Sequence, residues 1–250
     1  MNDAGPRRMS KPRGLWAVVP VKWLSRTKRR LIPLLSSHER VALARAMLQD
    51  VLSALTRTSA LAGVVVITGD AEATAMAHAA GALVIADTEN AGTTAAVTLA
   101  AQHLDRMGRE GMLFIPADVP LITPADIEMI LAAHRIAPSV TLVPASVDGG
   151  TNALACSPPG VIPFCFGRDS FRRHREAARA RGIEPAVSRL ARVGHDIDWS
   201  GDLAAFLLRP SATHAYAYLT ANGIPERLLH VHPGRHSSDM VATIGDAVSS

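Results

Sequence analysis

Aromatic side chains are scarce in this sequence, with three tryptophans, two tyrosines and five phenylalanines among 250 residues. That scarcity removes the stacking platform on which single-stranded nucleic acids are held. Cysteine is scarcer still. Cys156 and Cys165 are too few for a disulfide scaffold or a cysteine-rich zinc module. Both lie in apolar runs, so two reduced core thiols are expected, as in a cytosolic protein. No apolar run approaches the ~20 residues of a membrane-spanning helix. The first such run, Leu15 to Val21, contains Pro20. No small-residue cleavage pattern follows a long apolar stretch, so neither secretion nor membrane insertion is expected, and the predicted location is the cytoplasm.

Motifs are absent too. There is no GxxxxGK[ST] phosphate loop and no GxGxxG after the first apolar run, which excludes the ATPase and dinucleotide fingerprints. The GxSxG elbow and the HExxH zinc motif are also missing. His230, His232 and His236 are close in sequence but sit among glycine, proline and serine, and read as a solvated tail rather than a metal site.

What is present is an aliphatic chain, 48% hydrophobic and 19% charged, with a net charge of +4. This composition belongs to a folded protein. Short apolar runs at 15–21, 63–69, 82–87 and 139–146 read as buried strands, and 111–121 as a strand running into an acidic turn. Between them lie helical patterns. Ser36 stands three residues before Glu39 in capping-box spacing and opens the amphipathic stretch 41–55. Further helices are read at 71–81, 93–107 and, behind Pro124, to about 134. This alternation predicts an α/β fold with a doubly wound, mostly parallel sheet, and such sheets bind ligands beyond the carboxyl ends of their strands. Residues 1–13 read as a disordered basic tail and 14–209 as one domain. Residues 210–250 read as an extension with one short helix and a frayed end.

The cations collect at 22–30 and 168–181. Lys22 follows the first strand, and Lys28, Arg29 and Arg30 follow in one short loop. Four cations so close would repel one another unless an anion lay among them, and a triphosphate suits. Asp118 lies in FIPADVPL between a strand and a helix, where a carboxylate can serve Mg²⁺ together with phosphate oxygens. Asp196 and Asp198 in GHDIDW would point to one side in strand periodicity, so either or both could join Asp118 in a metal site. Thr151 follows two glycines, where backbone can approach a ligand closely. Gly167 and Ser170 open a basic helix whose amino end could attract an anion, although Ser170 also suits an ordinary N-cap. The arginines of 171–182 admit a nucleic-acid reading or a merely solvated face.

Taken in order, PVKWLSRTKRRL, SSHERVALARAMLQDVLSAL, PADVPL, GGTNAL, FGRDSFRRH and GHDIDWSGDL resemble the CofC/FbiD guanylyltransferases of coenzyme F-420 biosynthesis. The resemblance runs from about 15 to 208 and implies a MobA-like, nucleotide-diphospho-sugar-transferase-like fold. It implies transfer of GMP from GTP to a phosphorylated three-carbon acid with release of pyrophosphate. That acid would be phosphoenolpyruvate, 2-phospho-L-lactate or 3-phospho-D-glycerate. On this resemblance Thr151, Gly167 and Ser170 hold the acid, Asp118 with Asp196 and Asp198 holds Mg²⁺, and Lys22 and Lys28 face the triphosphate as catalytic cations. Gly92 and Thr93 stand where the third helix meets the nucleotide. The chain departs from the family pattern at Gly92-Thr93-Thr94 and at Trp23, which stands where a proline is common. A homodimer is compatible with the resemblance, and neither a membrane nor a polynucleotide is an expected partner. The competing readings are a MobA-like nucleotidyltransferase with another acceptor, a basic nucleic-acid-binding protein, and a catalytically idle homologue serving as a binding partner.

Overall fold

A computed structural model describes residues 14–230. The basic tail 1–13, the C-terminal stretch from 231, and with it His232 and His236, lie outside the described residues. Seven strands form one sheet: β1 (Leu15–Val21), β2 (Gly63–Thr68), β3 (Leu83–Ala86), β4 (Gly111–Phe114), β5 (Ser139–Pro144), β6 (Thr151–Ser157) and β7 (Ala186–Val187). Their order is β3-β2-β1-β4-β6-β5-β7. β1 runs parallel to β2 and β4, and β6 runs against both β4 and β5. The sheet is therefore mostly parallel, as the alternation predicts, with one reversed strand.

Among the described residues eight α-helices accompany it: α1 (Ser37–Thr56), α2 (Ala71–Ala79), α3 (Thr93–Arg106), α4 (Pro124–Ala133), α5 (Ser170–Ala180), α6 (Ser200–Leu207), α7 (His214–Ala221) and α8 (Ile224–His230). Strand alternation sorts the core into two layers. Ala17, Val19, Val64, Val66 and Leu113 face α1, α2 and α4. Trp16, Val18, Val65, Ile67 and Phe114 face α3 and α5. Each buried Leu, Val or Ile side chain contributes roughly 1.5–3 kcal/mol relative to exposure.

α1 is buried on two sides. Leu48, Val51 and Leu52 meet the sheet, while Leu43, Ala46 and Met47 meet Leu203 and Phe206 of α6, Ala215 and Leu219 of α7, and Ile224 and Leu228 of α8. A helix apolar around most of its girth needs such a second cover. α7 is tied to α1 by Asp50, whose carboxylate accepts from the His214 and Ala215 amides at 2.7 and 2.9 Å. The single short helix expected beyond 210 is thus two helices joined at Asn222–Gly223: α7 packs on α1, and α8 packs on α6 and α7 and reaches α1 through Arg227 and Glu39.

Other expectations change at the sheet. β4 stops at Phe114, and the chain then passes through Pro116 into the expected acidic turn at Asp118. The segment 151–157, read for its glycine and hydroxyl content, is the reversed strand β6. The strand pattern expected around 196–198 is absent, since that segment is held by side chains rather than by a neighbouring strand. Both thiols are free. Cys156 is buried, with burial pushing its pKa up to about 12, and Cys165 is only half-buried.

Candidate active site

Where β1 and β4 end side by side, the chain leaves in opposite directions and opens a crevice, the position at which open α/β sheets take ligands. A cavity of about 420 Å³ lies there, within the range of small-molecule sites. Lys22, Lys28, Arg29 and Arg30 line it from the loop after β1. Gly92, Thr93 and Ala96 line it from the start of α3, Asp87 and Asn90 from the loop after β3, and Asp118 and Asp198 from beneath.

The loop after β1 is built from two 3₁₀ turns, Leu24–Arg26 and Arg29–Leu31, anchored by the buried Leu24 and Leu31. Between them Lys28 adopts a left-handed backbone (φ 51°), which turns its side chain inward. Its Nζ donates to Asp118 Oδ2 at 2.6 Å and to Asp198 Oδ1 at 2.9 Å, and only 4% of the side chain is exposed. Burial alone would pull Lys28 toward the neutral amine, but the two carboxylates outweigh burial and raise its pKa, so the ammonium persists. Arg30 pairs with the other oxygen of Asp198 at 3.2 Å and lies over the Trp199 ring at 4.7 Å. The sequence reading of four cations awaiting an anion is thereby corrected, because two of them are already matched by aspartates. Lys22 and Arg29 remain exposed at the cavity wall.

Asp118, Asp196 and Asp198 do come together, through a loop and not a strand. The Ile197 amide donates to the Asp118 carbonyl at 3.1 Å. Asp202, in the first turn of α6, accepts from the Asp198 and Trp199 amides. Asn152 uses both of its amide hydrogens here, donating to the Val193 carbonyl at 3.1 Å and to Asp196 Oδ1 at 2.9 Å. Asn152 escaped the sequence reading, although it lies inside the GGTNAL motif. Burial and the neighbouring charge of Asp118 raise Asp196 to about 6. Burial would also raise Asp198, but Lys28 and Arg30 hold it below the usual carboxylate range. Lys28 thus bridges two carboxylates of the three with one positive charge, and Arg30 adds a second on Asp198.

No ready-made cage of three or more His, Cys, Asp or Glu side chains exists among the described residues. Magnesium does not require one, since it commonly takes one or two carboxylates with waters and phosphate oxygens. Asp118 and Asp198, which line the cavity, are hard oxygen donors of the right kind, and they already hold a cation between them in the Lys28 ammonium. The residues fit Mg²⁺.

The helix α3 begins at Gly92 (φ +102°), a conformation that favours glycine, and no side chain caps it. Its first amides therefore face the cavity without a protein cap, beside Thr93.

Thr151, Gly167 and Ser170 form a second cluster outside the lining of that cavity. The β5–β6 hairpin and the start of α5 are locked together by the Phe171 amide on the Gly149 carbonyl at 3.0 Å. This brings the Ser170 hydroxyl within 3.2 Å of Thr151 Oγ1. Gly167 turns the chain with φ +111°. Ser170 is not the N-cap of α5, since that position belongs to Asp169. The amides of Ser170 and Phe171 are bonded to carbonyls, so the amino end of α5 is less open than its sequence implies. The cluster adjoins the carboxylates through Asn152, the next residue of β6, and reaches α3 through the Phe166 amide on Thr94 Oγ1. Along α5, Arg172 pairs with Asp169 and Glu176, and Arg179 with Glu184, which reduces the basic face read at 171–182.

The fold has solved counterparts. A chain from Desulfovibrio desulfuricans described as a nucleotide-diphospho-sugar transferase superposes with a TM-score of 0.70 at 19% identity, over 86% of this chain and 96% of its own. A cytidylyltransferase from Leptospira borgpetersenii gives 0.53 at 12% identity, over 90% and 99%. Sequence relatives are nearer. A phosphoenolpyruvate guanylyltransferase of Roseiflexus castenholzii is 41% identical across 80% of this chain and 91% of its own. A 2-phospho-L-lactate guanylyltransferase of Methanothermobacter thermautotrophicus is 33% identical across 81% and 88%. A 3-phospho-D-glycerate guanylyltransferase of Colwellia psychrerythraea is 36% identical across 78% and 91%. The family described as "Guanylyl transferase CofC like" matches residues 15–240. The chain belongs to the CofC-like guanylyltransferase family.

Proposed function

We propose that this protein transfers the guanylyl group of GTP to a phosphorylated three-carbon acid, in the cytoplasm and as a step toward coenzyme F-420. The acceptor belongs to the class of phosphoenolpyruvate, 2-phospho-L-lactate and 3-phospho-D-glycerate. The observation that carries this reading is the crevice itself. Exposed cations and an uncapped helix start line one side of it, Asp118 and Asp198 meet around Lys28 at its base, and hydroxyls stand nearby.

The acceptor already carries a phosphate, whose oxygen is a competent nucleophile at neutral pH, so the protein need not supply a serine or cysteine. That oxygen attacks the α-phosphorus of GTP. A new P–O–P bond forms, the bond from the α-phosphorus to its bridging oxygen breaks, and pyrophosphate leaves with that electron pair. Held by Asp118 with Asp196 or Asp198, Mg²⁺ would supply positive charge to phosphate oxygens. Lys22 and Arg29 offset charge on the departing β- and γ-phosphates. Lys28 keeps Asp118 and Asp198 at a fixed separation and adds a cation at the base. Gly92 and Thr93 offer the amino end of α3 to the nucleotide. Asp87 is an acceptor group of the kind that guanine, with its N1–H and exocyclic amine, requires. Thr151, Gly167 and Ser170 orient the acid so that its phosphate lies in line with the leaving group.

Pyrophosphate release tests the reading. With GTP, Mg²⁺ and each acid in turn, one acid should support turnover, GTP should surpass ATP, CTP and UTP, and chelation should stop the reaction. Equal turnover with CTP would favour a related nucleotidyltransferase, and silence with all three acids would reject the acceptor class.

A further inference from the structure

Behind the acceptor cluster lies a fully buried histidine that the chemistry above does not use. His174, on α5, has no solvent exposure and makes two hydrogen bonds. Its Nε2 is 3.0 Å from the Cys165 amide nitrogen, and its Nδ1 is 3.0 Å from Thr151 Oγ1. A backbone amide can only donate, so Nε2 must be the bare, accepting nitrogen. Burial, aided by the charge of Arg173, lowers the pKa to about 4 and keeps the ring neutral at pH 7. A neutral imidazole carries one proton, and here that proton is on Nδ1, aimed at Thr151.

The consequence passes to the hydroxyls. Thr151 Oγ1 has two lone pairs and one proton. One lone pair receives His174 Nδ1–H, and the other receives the Ser170 hydroxyl, whose Oγ lies 3.2 Å away. Both acceptor positions are filled, so the Thr151 hydroxyl can interact with anything further only by donating. Among the described residues no acceptor is paired with that proton. A hydroxyl fixed as a donor suits an anion, which only accepts, and repels a ligand N–H or O–H.

We propose that His174 is a positioning residue that, together with Ser170, makes the Thr151 hydroxyl an obligate donor to an oxygen of the phosphorylated acid. The inference deepens the acceptor assignment above and rests on it. On this reading Ser170, which is wholly buried, reaches the substrate through Thr151 and not directly.

Two measurements on the full chain separate this inference from the reading beneath it. Long-range ¹H–¹⁵N spectra of the wild-type protein report the His174 tautomer without any turnover. Nδ1–H with a bare Nε2 is expected, and Nε2–H or an imidazolium at pH 7 would overturn the inference whatever the enzyme's activity. Steady-state kinetics supply the second. Thr151→Val should raise the acceptor KM by about tenfold or more, the scale of one hydrogen bond to a charged group, with the GTP KM unchanged. His174→Leu should move the same constant in the same direction. His174→Asn, whose amide N–H stands where Nδ1–H does, should restore an acceptor KM close to wild type. Equal KM values for His174→Leu and His174→Asn, or a change confined to kcat, would reduce His174 to a structural prop and overturn the proposal. Should His174→Leu fail to fold, Thr151→Val, His174→Asn and the tautomer still decide it. Wild-type protein that turns over none of the three acids would instead reject the acceptor assignment.

Discussion

Lys28 and Asp118 form a partly buried ion pair at 2.6 Å across the base of the crevice, joining a loop after the first strand to a turn after the fourth. Asp198 shares the same ammonium at 2.9 Å. The lysine therefore plays the part of an internal cation among carboxylates. Removing the lysine leaves Asp118 without its partner, at a cost below the roughly 3–5 kcal/mol of a fully buried pair because the carboxylates keep some solvent and Asp198 keeps Arg30. Lys28→Met should accordingly lower the thermal midpoint in EDTA, and Mg²⁺ should restore more of it than in wild type. Differential scanning calorimetry with and without metal checks this. A variant indifferent to Mg²⁺ would separate the lysine from the metal site.

Asp118→Asn tests the carboxylate itself. The substitution keeps the size of the side chain but removes its charge. Pyrophosphate release should fall by about two orders of magnitude or more, the scale of losing one preorganised charge contact in a transition state. Circular dichroism should remain that of the wild type. Retained turnover would remove Asp118 from the chemistry.

Asp50 anchors the outer helices. Its carboxylate accepts from two amides at the start of α7 and from His214 Nδ1 at 2.9 Å. Asp50→Ala leaves these donors without their cap and should destabilise the fold by about 2–3 kcal/mol, measured by urea denaturation. The GTP KM should change little, because the capped helix lies across α1 from the cavity.

Glu39 links α1 to α8 through Arg227 and caps its own helix through Ser36. The Arg227 bond is the largest influence on Glu39 and, with Ser36 and against partial burial, lowers its pKa from 4.5 to about 2. A carboxylate depressed in the folded state stabilises above its unfolded pKa and loses that contribution as protons bind. Stability should therefore decline as pH falls from about 4.5 to about 2. Arg227→Met should flatten that decline and cost about 1 kcal/mol at neutral pH, as expected of a partly exposed pair. An unaltered acid profile would contradict the assignment.

Much of the framework was legible along the chain. The runs at 15–21 and 63–69 are strands because they alternate between two helical layers, and Ser36 with Glu39 forms the capping box that their spacing predicts. Lys22 and Asp118 were found because each follows a buried strand. The rest depended on distant partners. Lys28 reads locally as a free cation, yet its carboxylates lie 90 and 170 residues away. The alternation of Asp196, Ile197 and Asp198 mimics a strand, while Asn152 and Asp202 hold the segment as a loop. β6 was hidden because Gly149-Gly150 before it reads as ligand-binding loop, when those glycines close the hairpin that reverses the strand. The apolar pattern of α7 was visible, but nothing local showed that α1 presents Leu43 and Met47 to receive it.

The reaction proposed for the crevice forms a mixed diphosphate between GMP and the phosphate of a three-carbon acid. Phosphorus-31 NMR of the protein with GTP, Mg²⁺ and phosphoenolpyruvate, then with each of the other two acids, tests it most directly. With one of the acids the spectrum should gain a pair of mutually coupled resonances from the new P–O–P linkage, together with pyrophosphate, as the GTP signals decline. Loss of GTP to GDP and inorganic phosphate with every acid, with no coupled pair, would contradict it.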